Sequence, residues 1–335
     1  MSLVSQLMES AGVTYLGENR SYDIQDEQSF IQESTMDMVN SVYESIELFY
    51  ASDIIGAVSV LTEGADAEVL LEGVVKDTFK KIKDKIVEWF HKLKAAVGKF
   101  IQKIKDFFKR VFTKDKVKKA KENLKNAKGD INVKSNGAAL LLVDKAMNKA
   151  EEIHEKATEV VEDLVEDAKK VAEGGTPDKE ADEYYEEFCK KLGIKQINNV
   201  SQIVNAAAKE QGKHLNEVLG ELQDINLSKS EAENILKDIE NASVADIEKV
   251  CQSLLSECNK QVDAITKMCD KVSNSDSSTT PGSKTQDALT YLMKAKMIVT
   301  SASSILNEVI SLCKESSADK ARILQSLERL NDINE

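Results

Sequence analysis

The sequence predicts an all-α, elongated protein with one long cationic amphipathic helix and a C-terminal helical bundle. Its 335 residues include only two prolines, with 5% aromatic and 31% charged residues, a composition typical of nearly all-helical proteins. Apolar residues recur at steps of three and four along much of the chain, which is the period of a helix. The length leaves room for two domains and a sizeable core.

The first 72 residues form an acidic segment. Arg20 is their only basic residue against 14 Asp and Glu, so their net charge is −13. Apolar residues at helical spacing predict a helix from Glu27 to Val60, which Gly64 is expected to end. A short apolar piece then leads to Gly73, where the character of the sequence changes.

The net charge changes sign in residues 73–128. They contain 19 Lys and Arg against 6 Asp and Glu, net +13, inside a chain whose total is −13. Their apolar residues repeat at steps of three and four for about ten turns, which predicts one helix with a single apolar stripe. The candidate interaction stripe consists of Phe79, Ile82, Ile86, Trp89, Phe90, Leu93, Val97, Ile101, Ile104 and Phe108.

Lysines occupy the other face of this predicted helix. After Phe112 the aromatic stripe stops, and Thr113 to Lys128 is expected to continue as a polar, basic helix that ends toward Gly129. The candidate basic face consists of Lys80, Lys83, Lys92, Lys99, Lys103, Lys109, Arg110, Lys118 and Lys119.

The middle of the chain, residues 129–173, is predicted as a polar loop over 129–136 and a long helix from Ala138 to Ala172 that packs on the N-terminal part. Residues 174–178 read Gly-Gly-Thr-Pro-Asp, and these helix breakers predict a linker between two domains. Residues 179–335 are then expected to form the C-terminal helical bundle.

Capping residues mark helix starts within this bundle. Ser230 and Glu233 have the spacing of a capping box, in which each side chain binds the backbone N–H of the other residue. Ser243 is a predicted N-cap with Asp246 at the third helical position. Both signals therefore place helices in the second half of the chain.

The longest predicted helices of the bundle run over 244–272 and 285–314. Residues 273–283, rich in Ser and Thr, form the predicted loop between them, so the two helices are expected to fold back as an antiparallel hairpin. A last helix over 319–330 is expected to cover the open side of this hairpin.

The sequence offers no recognisable constellation of catalytic residues. His91, His154 and His214 are widely separated, and none has a partner at catalytic or metal-binding spacing. Glycine-rich phosphate loops, nucleophile elbows and CxxC motifs are absent from the sequence. We therefore expect no catalytic activity and no cofactor.

The cysteines are predicted to be core residues. Cys251, Cys258 and Cys269 are 7 and 11 residues apart, close to whole numbers of turns, which places them on one face of one helix. Zinc ligands need CxxC or i to i+4 spacing, so no metal site is expected. Cys189 and Cys313 are isolated and are interpreted as small buried hydrophobes.

The sequence shows no targeting or membrane-spanning segment. It contains no apolar run of about 18 residues, and residues 1–11 lack the basic region and apolar core of a secretory signal. We therefore expect no signal peptide and no transmembrane span. The odd number of cysteines favours a reducing compartment.

Three interpretations of the cationic helix remain open. In the first, its stripe packs in the core against the helices predicted over 27–60 and 138–172, and its lysines face water. In the second, its aromatic side lies in a membrane interface, since residues 99–112 (KFIQKIKDFFKRVF) resemble the membrane-active part of cathelicidin-type peptides. In the third, its charge binds nucleic acid through phosphates, without reading the base sequence.

Residues 60–64 (VLTEG) and 69–73 (VLLEG) precede a helix of the type FKKIKDKIVEWFHKLK. This order, within residues 35–115, resembles a loosely defined group of tailed-phage virion proteins. The resemblance implies a non-enzymatic structural or head-internal protein of the virion, assembled in the cytoplasm of a bacterial host. It also implies other virion proteins, or further copies of the chain in a homo-oligomeric assembly, as partners, with non-specific nucleic acid as a further partner of the basic helix.

The alternative function is that of a membrane-active protein. In this hypothesis the acidic residues 1–72 mask the cationic helix, residues 73–112, until it is released. Salt-dependent binding to duplex DNA would favour the virion hypothesis, and vesicle leakage would favour the membrane hypothesis.

Overall fold

The computed structural model describes residues 65–127, 129–195, 200–209, 222–273 and 282–330. Over these residues the protein is all-α, as the sequence predicts, with eight α-helices and one two-stranded sheet. The helix predicted over 27–60 lies outside the described residues. The elements are α1 (Ala65–Val111), α2 (Lys114–Asn126), β1 (Ile131–Ser135), α3 (Val143–Ala172), α4 (Ala181–Leu192), α5 (Val200–Ala208), β2 (Gln223–Leu227), α6 (Lys229–Asn241), α7 (Val244–Ser273) and α8 (Gly282–Glu328).

The basic segment forms two helices, and the first begins earlier than predicted. α1 runs unbroken from Ala65 through Gly73, because a single glycine costs a helix only about 1 kcal/mol. α1 ends at Val111, and the Thr113 side chain accepts a hydrogen bond from the Lys116 N–H as the N-cap of α2. The segment therefore has a capped break where one continuous helix was expected.

The apolar stripe of α1 packs mainly against α7 and α8 rather than against the helix predicted over 138–172. Two ion pairs show the direction of this packing, Lys83 with Asp270 and Lys105 with Glu248. The later residue of α1 pairs with the earlier residue of α7, so the two helices are antiparallel. The other predicted packing partner, over 27–60, lies outside the described residues.

α8 is the central helix of the fold. It contacts α1, α2, α3, α5 and α7, and most of its side chains from residue 288 to 327 are buried or half-buried. The prediction of two helices, over 285–314 and 319–330, is wrong because α8 continues through both. Ser316 and Ser317, which lie between the two predicted helices, are buried inside α8.

A small sheet lies where a polar loop was predicted over 129–136. β1 alternates buried and exposed side chains and pairs with β2 in antiparallel fashion. Together with α2, α6 and the end of α8, the strands enclose a second, smaller hydrophobic core. The buried Asp319 carboxylate anchors this region to α8, since it accepts hydrogen bonds from the Ser135 hydroxyl (2.6 Å) and the Ala139 N–H (2.9 Å).

The predicted linker, residues 174–178, is a turn within one core. The main hydrophobic core draws residues from α1, α3, α4, α5, α7 and α8, on both sides of this turn. The buried Asp167 carboxylate of α3 accepts hydrogen bonds from the Asp178 and Lys179 N–H groups and from the Tyr184 hydroxyl. The helix breakers therefore mark a fixed turn, and the residues on either side of it pack together.

The capping signals were half correct. α6 begins with a capping box of Ser228 and Glu231, rather than Ser230 and Glu233, because both pairs have the same spacing and only the first stands at the helix start. Ser243 acts as predicted, accepting a hydrogen bond from the N–H three residues later at 3.3 Å.

Candidate polyanion-binding surface

The predicted interaction stripe lies in the core. Phe108 is half-buried and packs against that core, whereas the other nine residues are buried. Trp89, the only tryptophan, is 2% exposed, and its Nε1 has no hydrogen-bond partner in the described part of the protein. The stripe therefore holds α1 to the fold. The nine buried members are Phe79, Ile82, Ile86, Trp89, Phe90, Leu93, Val97, Ile101 and Ile104.

The predicted basic face lies on the opposite side and reaches solvent. Lys83 and Lys103 are half-buried, and the other seven members are exposed. Lys83 donates a hydrogen bond to Asp270 of α7 at 2.5 Å, and this bond raises the pKa of Lys83. The exposed members are Lys80, Lys92, Lys99, Lys109, Arg110, Lys118 and Lys119.

The cations of α1 from Lys80 to Arg110 form two rows on either side of a mixed ridge. One row has steps of 4 and 7 residues, which keep its members within about 40° of one another around the helix axis. We call this set the cationic row: Lys81, Lys85, Lys92, Lys99, Lys103 and Arg110. We call the second set the opposite row: Lys80, Lys83, Lys94, Lys105 and Lys109.

Sequence reasoning found four members of the cationic row but missed Lys81 and Lys85. Both are exposed, and both continue the helical spacing of the other four toward the N-terminus of α1. Their positions around the helix axis were available from the sequence alone.

The two rows have different neighbours. The opposite row borders α7, where Lys83 and Lys105 form ion pairs. The cationic row borders α8, since Lys85 lies near Lys296 of that helix. Burial first, and then the positive charge of Lys85, lower the pKa of Lys296 to about 8. α8 also places Lys314 over the Phe100 ring, 5.6 Å from its centroid. Carboxylates of α7 thus pair with two cations of the opposite row, whereas two buried lysines of α8 lie near the cationic row.

The ridge between the rows carries acidic residues. Glu88 pairs with Lys92 at 3.1 Å, and both side chains are more than half exposed. The Asp106 carboxylate accepts hydrogen bonds from the Gln102 side chain. An anion is therefore better accommodated along one row than across the whole exposed face.

α2 extends the basic surface but belongs to the smaller core. Lys118 and Lys119 are exposed, whereas Lys121 pairs with Glu240 of α6 at 2.5 Å. At the break between α1 and α2, the half-buried rings of Phe108 and Phe112 pack edge to face, with their centroids 4.8 Å apart. α2 thus presents exposed lysines as α1 does, but its buried apolar residues pack in the smaller core.

A buried histidine and cysteine lie together between α3, α7 and α8. His154 Nε2 is 2.8 Å from the Ala302 carbonyl oxygen, and its Nδ1 is 3.9 Å from Cys258 Sγ. Burial lowers the pKa of His154 to about 4 and raises that of Cys258 to about 12. A neutral imidazole beside an uncharged thiol lacks the thiolate that nucleophilic chemistry needs. The pair therefore contributes to packing.

Comparison with known proteins gives the chain no relative: no protein-family model matches it, and neither does any curated protein or solved structure. None of the described helices is both long and apolar enough to cross a membrane. The described residues also contain no cluster of His, Cys, Asp and Glu side chains able to hold a metal ion. The surface of α1 is thus the feature on which a function can be argued.

Proposed function

We propose that the protein is a non-enzymatic structural component of a tailed-phage particle, head-internal or capsid-associated, whose basic surface contacts nucleic acid or partner proteins. The observation that carries this proposal is the division of α1 into a buried stripe and an exposed basic face. Because the stripe is used for folding, α1 presents charge to its partners. The net charge of +13 over residues 73–128 suits phosphate binding without sequence readout.

A membrane-active role is the second candidate. An interfacial helix places its aromatic side in the lipid, but Trp89 and Phe90 are only 2% and 9% exposed. Membrane binding would first have to separate α1 from α7 and α8, exposing the core. The half-buried Phe108 and Phe112 at the end of α1 are the aromatic side chains that favour this candidate.

Binding measurements on the full-length chain separate the two candidates. With a DNA duplex of about two helical turns, we expect affinity that falls steeply with salt, because neutralised phosphates release counterions. With anionic vesicles we expect no leakage. Leakage without DNA binding would contradict the proposal and support the membrane candidate.

A truncation tests whether the acidic N-terminal residues mask the basic surface. Deleting residues 1–64 leaves α1 whole. If masking occurs, retention on heparin increases steeply, and the gain shrinks with salt because exposed charges are screened over about 10 Å at 0.1 M. Unchanged retention would remove masking, on which the membrane candidate depends.

Mass spectrometry of purified phage particles tests the location directly. We expect this chain in the particles at a fixed copy number relative to the other virion proteins. Its absence from particles, with the chain present in the infected cell, would contradict a virion role. Any binding to DNA would then have to serve a role outside the phage particle.

A further inference from the structure

We propose that the cationic row of α1 is a phosphate-contacting ridge for duplex DNA, whereas the opposite row serves mainly to hold α1 on α7. This division deepens the proposed contact with nucleic acid and depends on it. It names the residues that make the contact and the form of nucleic acid that they prefer. Three features of the structure support it.

The first feature is the alignment and length of the row. From Lys81 to Arg110 the row covers 29 residues, or about 44 Å at 1.5 Å per residue. A turn of B-DNA is about 34 Å long, so the row is longer than one turn of a duplex. Six cations along this line permit at most six simultaneous phosphate contacts.

The second feature is the difference in surroundings. Two of the five cations of the opposite row form ion pairs with Asp270 and Glu248 of α7. Members of the cationic row also make polar contacts, among them Lys92 with Glu88. Ion pairs on an exposed surface contribute only about 0–1 kcal/mol, so phosphates can replace them. Lys296 and Lys314 of α8 are buried close to this row.

The third feature is the absence of a stacking surface. Among residues 79–111, no exposed side chain is Phe, Trp or Tyr. Proteins that prefer single strands stack bases on such rings, at about 1–3 kcal/mol per base. The exposed face of α1 can therefore neutralise phosphates but has no Phe, Trp or Tyr ring on which to stack a base. A duplex, which presents its phosphates at higher density, is the better ligand.

The first part of the test compares two forms of DNA. Fluorescence anisotropy with the full-length chain measures binding to a duplex and to one of its single strands, over a salt series. We expect tighter binding to the duplex, with a slope of log K against log salt no steeper than about −5 for six contacts. Tighter binding to the single strand would overturn the duplex assignment.

The second part compares two variants that remove equal charge. Lys81→Gln, Lys85→Gln and Lys99→Gln change the cationic row, and we expect a duplex affinity at least tenfold lower than that of the unmodified chain. The magnitude of the salt slope should fall by about 3, or about 1 for each lost phosphate contact. All three positions are exposed, so the fold is expected to be retained.

The matched control changes three exposed residues of the opposite row, Lys80→Gln, Lys94→Gln and Lys109→Gln. Its net charge equals that of the first variant, and we expect less than a threefold loss of duplex affinity. Equal losses in the two variants would overturn the assignment of the row but leave DNA binding intact. No binding of the unmodified chain to either DNA would instead overturn the proposed function.

Discussion

α1 and α8 have the same length, 47 residues, and opposite surroundings. α1 buries one stripe and exposes a basic face, whereas α8 is enclosed on most sides by other helices. A long helix can thus be stabilised by burial of one apolar stripe or by packing on most of its sides. In both cases tertiary packing adds to helix propensity. α8 organises the core, and α1 carries the surface on which we base the function.

The comparison also shows where substitutions can act. A substitution at most positions of α8 affects a packed side chain, so it is expected to change the free energy of unfolding. A change on the exposed face of α1 meets solvent, so it alters charge and binding with little effect on stability.

The largest effect is expected from a charge placed in α8. Leu306 is fully buried, so Leu306→Asp should unfold the chain or lower its free energy of unfolding by more than about 4 kcal/mol. Circular dichroism during a urea titration measures this change. The matched control, Lys94→Asp on the exposed face of α1, should remain folded with its urea midpoint little changed.

A smaller effect is expected from a cavity beneath α1. Ile86 is fully buried in the stripe and its neighbour Lys85 is exposed. Ile86→Ala should lower the free energy of unfolding by about 2–5 kcal/mol through lost burial and an unfilled cavity. Lys85→Ala should change it by less than about 0.5 kcal/mol. Equal effects of the two substitutions would show that α1 is not packed as described.

Acid is expected to destabilise the contact between α3 and α8. Burial lowers the pKa of His154 from 6.5 to about 4 in the folded chain. Above pH 6.5 the histidine is neutral in both states, but between 6.5 and 4 the unfolded chain binds the proton more strongly. Stability should therefore fall across this range, by up to about 3 kcal/mol from this group.

Two histidine variants isolate this effect. Urea titrations from pH 7 to 4 should show a shallower loss of stability for His154→Gln than for the unmodified chain. His91→Gln, on the exposed side of α1, should follow the unmodified chain. A pH dependence unchanged by His154→Gln would mean that the buried ring does not titrate as described.

Residue periodicity was enough to predict the apolar stripe of α1 but not the extent of α8. The stripe of α1 follows a strict helical period with lysines opposite, so its buried face could be identified from the sequence. α8 is apolar on several sides, and the sequence Glu-Ser-Ser-Ala-Asp at 315–319 resembles a helix start. Its serines are buried and its Asp319 binds the loop after β1. Only tertiary contacts reveal this use of helix-start residues.

The small sheet and the packing of residues on both sides of the 174–178 turn were not predicted, for related reasons. β1 has five residues, of which only Ile131 and Val133 are apolar, and its partner lies 92 residues further along at Gln223–Leu227. Residues 174–178 contain the expected breakers, but the hydrogen bonds to Asp167 that fix the turn join residues 11 and 12 positions apart. The cationic row, by contrast, was fully encoded in local spacing.

Trp89 reports directly on whether the stripe of α1 lies in the core while its lysines face solvent. It is the only tryptophan of the chain and is 2% exposed, so its fluorescence reports on the stripe alone. We predict blue-shifted emission in the free protein, weak quenching by iodide, and no shift when duplex DNA binds. Red-shifted, readily quenched emission in the free protein would contradict the account, because the stripe would then face water.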